Sequence, residues 1–145
     1  MTVQIRAASL ADIPAMHKVR RSVRENRLGD PTRVTENAYL PFIETGSIWV
    51  AVDQGWGVVG FSALDPTTNS VWALFVDPDH EGAGIGRALH DIMLDWASQH
   101  EIRALWLVTA PGTRAEHFYL ATDWTKKGTT STAETRFEKA LSLSA

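Results

Sequence analysis

Val71-Trp72-Ala73-Leu74-Phe75-Val76-Asp77-Pro78-Asp79-His80-Glu81-Gly82-Ala83-Gly84-Ile85-Gly86-Arg87-Ala88-Leu89 is the stretch around which this chain is organised. Its first part is apolar and β-prone, and Asp77-Pro78 stops it, so Ser70–Val76 reads as a buried strand. From Gly84 to about His100 the pattern turns helical, with Ile85, Leu89, Ile92, Met93 and Trp96 on one face. Between strand and helix stand three alternating glycines, Gly82, Gly84 and Gly86. Glycine lets the backbone approach an anion closely, and the first helical N–H groups point at it with the positive end of the helix dipole. Taken alone, the same glycines could instead serve a tight turn and close strand–helix packing. Two familiar phosphate loops do not fit. A P-loop needs Lys and then Ser/Thr after the last glycine, where Arg87-Ala88 stand. The dinucleotide fingerprint needs a small residue where Leu89 stands.

Working outward, the upstream half reads as strand, two helices and two strands. Thr2–Ala7 alternates as a strand. Ser9 reads as a helix N-cap with Asp12 as the capping-box acid, and Leu10, Ile13, Met16, Val19 and Val23 follow at helical spacing. Gly29-Asp30-Pro31 is expected to break that helix. Thr35 can cap a short second helix bearing Tyr39, Leu40 and Phe42, ended by Gly46. Ser47–Val52 and Gly57–Leu64 follow as strands around a turn at Asp53-Gln54-Gly55, and Asp65–Asn69 turns the chain into Ser70–Val76. Downstream of the central helix come a strand at Ala104–Thr109, a turn at Pro111-Gly112, a helix from Thr113 to Thr122, and strands at Trp124–Thr130 and about Thr132–Leu141. The order is β-α-α-β-β-β-α-β-α-β-β. The central strand–helix–strand unit is expected to be a right-handed parallel crossover, and the remaining pairings antiparallel. With no repeat, low-complexity run or linker, residues 1–145 read as one α/β domain with a mixed sheet.

Composition narrows the function classes. A net charge of −3 and basic runs as short as Arg20-Arg21 and Lys126-Lys127 give no footprint for nucleic acid. No segment approaches the roughly 20 apolar residues of a membrane span, and the first residues lack the apolar core of a signal peptide. There is no cysteine, which removes disulfides, a thiolate nucleophile and cysteine-ligated metals. The histidines have no ligand-like spacing, so no metal is expected. A cytoplasmic protein is the default.

The glycine loop resembles the motif of the GNAT acyl-CoA N-acyltransferases, in which Gln/Arg-x-x-Gly-x-Gly/Ala binds the pyrophosphate of coenzyme A. Here it aligns as Glu81-Gly82-Ala83-Gly84-Ile85-Gly86. Thr109–Trp124 resembles the family's C-terminal motif, a helix carrying Phe-Tyr that runs into a Gly-aromatic pair; Phe118-Tyr119 and Asp123-Trp124 stand at those places. The element order matches as well, so the resemblance covers nearly the whole chain. It implies a mostly antiparallel sheet whose central parallel pair splays for the cofactor, acetyl-CoA. It implies cofactor contacts from Leu74, Phe75 and Val76 and from Gly82, Ala83, Gly84, Ile85, Gly86, Arg87 and Ala88. It makes Tyr119 the acid that protonates the departing sulfur. Glu81 departs from the pattern, since a carboxylate beside a pyrophosphate repels it unless it points away; the backbone is therefore expected to do the binding. Asp123 replaces a glycine, but Asp tolerates the left-handed conformation better than most residues.

The implied reaction is transfer of an acetyl group from acetyl-CoA directly to a primary amine of a small molecule or peptide. Without cysteine, a thioester-linked enzyme intermediate is excluded. Glu25, Glu36, Asp65, His117 or a water remain as candidates for the base. The first two helices usually help shape the acceptor site in this family; Arg24, Glu25 and Trp72 are candidates there. The arginines of that stretch, Arg20 among them, could hold a carboxylate or phosphate of the acceptor but read more plainly as a solvated helix face, and the six tryptophans read as core. A non-catalytic acyl-CoA-binding sensor or regulatory module is the alternative, kept open by Glu81, Asp123 and the unidentified base. A homodimer is an option this fold leaves open.

Overall fold

A computed structural model describes residues 3–23 and 34–142. Seven strands form one sheet in the order β1-β2-β3-β4-β5-β7-β6. They are β1 (Val3–Ala7), β2 (Ile48–Asp53), β3 (Gly57–Asp65), β4 (Ser70–Val76), β5 (Ala104–Thr109), β6 (Thr125–Thr129) and β7 (Thr135–Ala140). The helices are α1 (Ile13–Ser22), α2 (Leu40–Thr45), α3 (Ile85–Gln99) and α4 (Arg114–Ala121). All strand pairings are antiparallel except β4 with β5, which α3 connects. The mixed α/β architecture and element order expected from sequence are therefore present.

Helices cover both faces of the sheet. Ile13, Met16 and Val19 of α1 pack with Tyr39, Phe42, Val50, Phe61 and Ala73 on one side. On the other, Ile85, Leu89, Met93 and Ala97 of α3 pack with Val59, Leu105, Leu107, Tyr119, Trp124 and Phe137. The spacing of the α3 residues by three and four is the helical period read from the sequence. Gly60 of β3 sits where α3 presses closest: a Cβ there would lie 2.9 Å from the Phe75 carbonyl oxygen and 3.1 Å from Leu89 Cδ1. A side chain at this position would push the glycine loop and α3 off the sheet.

The N-terminal helix departs from expectation. Asp12 does act as the capping acid, accepting the Ser9 amide at 2.8 Å while pairing with Arg6 at 2.7 Å. Leu10, however, lies in a single 3-10 turn and is exposed. Helix α1 ends at Ser22, because Val23 already turns to extended backbone. The Gly29-Asp30-Pro31 break and the candidates Arg24 and Glu25 lie outside the described residues.

One irregularity positions the site. The β3–β4 register pairs Ala63 with Ala73 but Leu64 with Val71, so it passes over Trp72. This extra residue is a β-bulge, and it upsets the alternation of side chains. Val71, Leu74 and Val76 pack on the α3 side. Trp72, Ala73 and Phe75 all pack on the α1–α2 side. In a regular strand, Trp72 would have faced α3 instead.

Candidate functional site

The parallel pair β4–β5 is joined at a single position, Ser70 opposite Trp106. The Trp106 amide donates to Asn69 O at 3.1 Å, and beyond it the two strands part. Parting leaves backbone amides and carbonyls of β4 unpaired along an inner edge, which is a ready template for a ligand with amide groups. A cleft of about 1140 Å³ opens there. It runs from Arg20 and Trp72, along β4, to Gly82, Gly84, Gly86 and Arg87 on one wall and Thr109, Thr113, His117 and Tyr119 on the other.

The glycine loop takes the left-handed turns that its pattern suggested. Gly84 is the N-cap of α3 at φ +79°, and Gly82 is left-handed at +81°. The Ala88 amide donates to Gly84 O at 3.1 Å. That leaves the Ile85, Gly86 and Arg87 amides as the free first-turn donors at the positive end of a 15-residue helix. Leu74, Phe75, Val76, Gly82, Gly84, Ile85, Gly86 and Arg87 all line the cleft. Ala83 and Ala88 do not: they flank a separate shallow depression with Val3 and Ile5. Arg87 is largely exposed and leans 3.5 Å from Asp91 one turn on.

Glu81 finds a partner rather than a phosphate. Its carboxylate pairs with the Arg114 guanidinium in the first turn of α4, across the mouth of the cleft. The expected repulsion is thereby offset. Asp123 takes the left-handed conformation at φ +68°, and the Trp124 amide returns to Tyr119 O at 3.0 Å, so the helix end survives the loss of glycine.

Tyr119 is buried at the cleft wall, 5% exposed, against the rings of Phe118, Trp124 and Phe137. Burial pushes its hydroxyl well above the ordinary tyrosine range, so it stays protonated. Trp124, beneath it, donates from Nε1 to His90 Nε2 at 3.0 Å. That fixes the tautomer: His90 Nδ1 carries the proton and faces Asp91 Oδ1 at 2.9 Å. Burial outweighs Asp91 and lowers the His90 pKa, keeping the ring neutral. Of the candidate bases within the described residues, His117 lines the cleft, whereas Glu36 does not and Asp65 is engaged by Thr67 in its own turn.

Sequence reasoning missed two features. Thr109, at the end of β5, puts a buried hydroxyl without a partner among the described residues beside the cleft. Arg20 was expected on a solvated face; it lies instead within the aromatic cluster at the α1 end of the cleft, its guanidinium carbon 4.4 Å from the Trp72 ring centre. The basic pattern gave no sign of this, because the bulge at Trp72 moves the ring under α1.

Residues 15–122, well over half of the chain, match the acetyltransferase (GNAT) family. The chain belongs to this family. A curated relative, the peptidyl-lysine N-acetyltransferase YjaB of Escherichia coli strain K12, is 36% identical over 64 residues, covering 44% of this chain and 42% of that protein. The match therefore spans less than half of its length. Among solved structures, the PaiA N-acetyltransferase of Thermoplasma acidophilum in complex with coenzyme A superposes with a TM-score of 0.83. It is 17% identical, with 97% of this chain and 99% of that one covered. The phosphinothricin acetyltransferase of Sinorhizobium meliloti, in complex with acetyl-CoA, gives 0.81 at 19% identity, covering 97% and 89%. At such identities these likenesses establish the fold.

Proposed function

We propose that this protein transfers the acetyl group of acetyl-CoA directly to a primary amine of a small molecule or peptide. The observation that carries this reading is the parting of β4 and β5 after Ser70–Trp106, with the free α3 amides at the far end of the same cleft. Coenzyme A fits that shape. Its pyrophosphate would sit on the Ile85–Arg87 amides, held by backbone and helix dipole rather than by Glu81. Its pantetheine amides would continue the β4 edge at Leu74, Phe75 and Val76, as an added strand does.

The neutral amine attacks the thioester carbonyl carbon, and the C–N bond forms as the C–S bond breaks. Backbone N–H groups at the β4 edge stabilise the developing oxyanion. The sulfur leaves as a thiolate and takes up a proton, while the former amine nitrogen releases one. Tyr119, neutral and at the cleft wall, is the donor to sulfur in this reading. His117 or a water takes the proton from nitrogen. The two sequence features that favoured a non-catalytic binding module carry less weight here, since Arg114 pairs Glu81 and Asp123 keeps the helix end.

Initial rates of thiol release, measured with acetyl-CoA and a panel of amines, test the reading. Intersecting double-reciprocal lines are expected, and parallel lines would contradict direct transfer. Tyr119→Phe should lower kcat by about 10²-fold or more while leaving acetyl-CoA affinity in place. Unchanged turnover would remove Tyr119 from the mechanism.

A further inference from the structure

The α1 end of the cleft holds a desolvated cation that no anion meets among the described residues. The Arg20 guanidinium carbon lies 4.4 Å from the ring centre of Trp72, 4.9 Å from Phe75, 5.9 Å from Tyr39 and 6.0 Å from Phe61. Its Nε and Nη2 are buried and have no hydrogen-bond partner among the described residues. The ion pairs of the described residues use Arg6, Arg87, Arg114 and Arg136, never Arg20. Among the described residues its polar partner is the Tyr39 hydroxyl, which also meets His17 Nδ1 at 3.1 Å.

Aromatic faces attract a cation, but they accept no hydrogen bond in the plane of the guanidinium. An arginine removed from water with two nitrogens unsatisfied lacks something. The identity of the orphaned atoms says what. Nε and Nη2 form one edge of the guanidinium, and their N–H bonds run parallel. That edge matches the two oxygens of a carboxylate in a bidentate pair. A phosphate would present the same pair of oxygens with a second negative charge that Arg20 alone leaves unpaired. Arg20 lines the same cleft as the proposed cofactor site, and it lies over Trp72 and Phe75, which bracket the inner edge of β4. The bulge is what brings Trp72 to this side. The orphaned edge is shut from bulk water, so the long arginine side chain must turn it toward the cleft when an anion enters.

Building on the acetyltransferase reading, we propose that Arg20 binds the carboxylate of the acceptor, and that the acceptor is an amine of amino-acid size bearing a carboxylate. The aromatic rings would hold the guanidinium flat, and the short span from Trp72 to Val76 would bring the substrate amine toward the thioester. A polyamine would meet an unpaired positive charge here. A lysine side chain within a protein would bring no carboxylate to it.

The test compares pairs of substrates. Each of the common L-amino acids is assayed with acetyl-CoA beside the amine obtained by removing its carboxylate, with spermidine and a lysine peptide in the same series. The expected result is that the best amino acid exceeds its decarboxylated partner in kcat/KM by at least a hundredfold. Arg20→Met, which keeps the apolar stem, should lower kcat/KM for that amino acid at least thirtyfold more than for the partner amine, and Arg20→Lys should restore part of the difference. Equal or better turnover of the decarboxylated amines, spermidine or the peptide by the unmodified protein would overturn the proposal, and needs no variant to fold. So would an Arg20→Met effect of equal size on both members of a pair. Absence of acetyl-CoA-dependent turnover on every amine would instead overturn the transferase reading itself, and this proposal with it.

Discussion

Replacing Gly84 by alanine separates the conformation of the cradle from its packing. Gly84 caps α3 at φ +79°, and a Cβ added there would meet nothing within 4 Å. No clash contributes, so the whole effect is the backbone cost of placing an L-residue in the left-handed region, about 1–2 kcal/mol. That cost must appear somewhere. If the variant keeps the native turn, its melting temperature falls by about 2–8 °C for a chain of this size. If the turn relaxes, the α3 amides lose their aim and the cofactor must restore it, weakening acetyl-CoA by about 5- to 30-fold at 1.4 kcal/mol per decade. Gly86→Ala is the control. Gly86 is helical and its added Cβ would lie 3.6 Å from Val76 Cγ2, an ordinary contact. Alanine there should stabilise the helix by up to about 1 kcal/mol, so its melting temperature should not fall. Thermal melts and calorimetric titration of both variants read the outcome. A Gly84→Ala protein that melts and binds as the unmodified one does would refute the reasoning.

Two further predictions follow from the charges. Glu81→Gln removes a negative charge from the cleft mouth facing the proposed pyrophosphate, so acetyl-CoA should bind about two- to fivefold more tightly, the scale of an exposed pair; weaker binding would mean that the Glu81–Arg114 bridge helps to hold the cofactor. His90 and His17 both have pKa values lowered by burial, so the unfolded chain binds more protons than the folded one below about pH 6.5. Stability should be complete above that pH and fall as the solution is acidified through it. Urea titrations at successive pH values check the sign, and His90→Gln should flatten the slope; stability that rises on acidification would contradict it.

The fold was legible because its strongest signals are local. The run from Ser70 to Val76 and the apolar face of α3 announce themselves by period and by Asp77-Pro78, and the sequence bounds of β4 and β5 match the structure at both ends. The glycines announce the cradle because few residues besides glycine enter the conformation of Gly82 and Gly84 readily. What stayed hidden depends on pairings distant in sequence. The Glu81–Arg114 bridge joins two motifs 33 residues apart, and no local pattern forecasts it. The bulge at Trp72 appears only once β3 sets the register of β4. Without it, Arg20 reads as one more cation on a helix surface. Ala83 and Ala88 came into the expected site with the motif that Glu81–Gly86 resembles, and the structure sets them beside a separate depression with Val3 and Ile5.

The central claim is that the cleft between β4 and β5 holds acetyl-CoA. Isothermal titration of the full chain with acetyl-CoA, and separately with coenzyme A, tests it most directly. The account predicts saturable one-to-one binding of both. Absence of binding to either ligand would mean that the glycine loop serves packing alone, and would contradict the acetyltransferase reading of this chain.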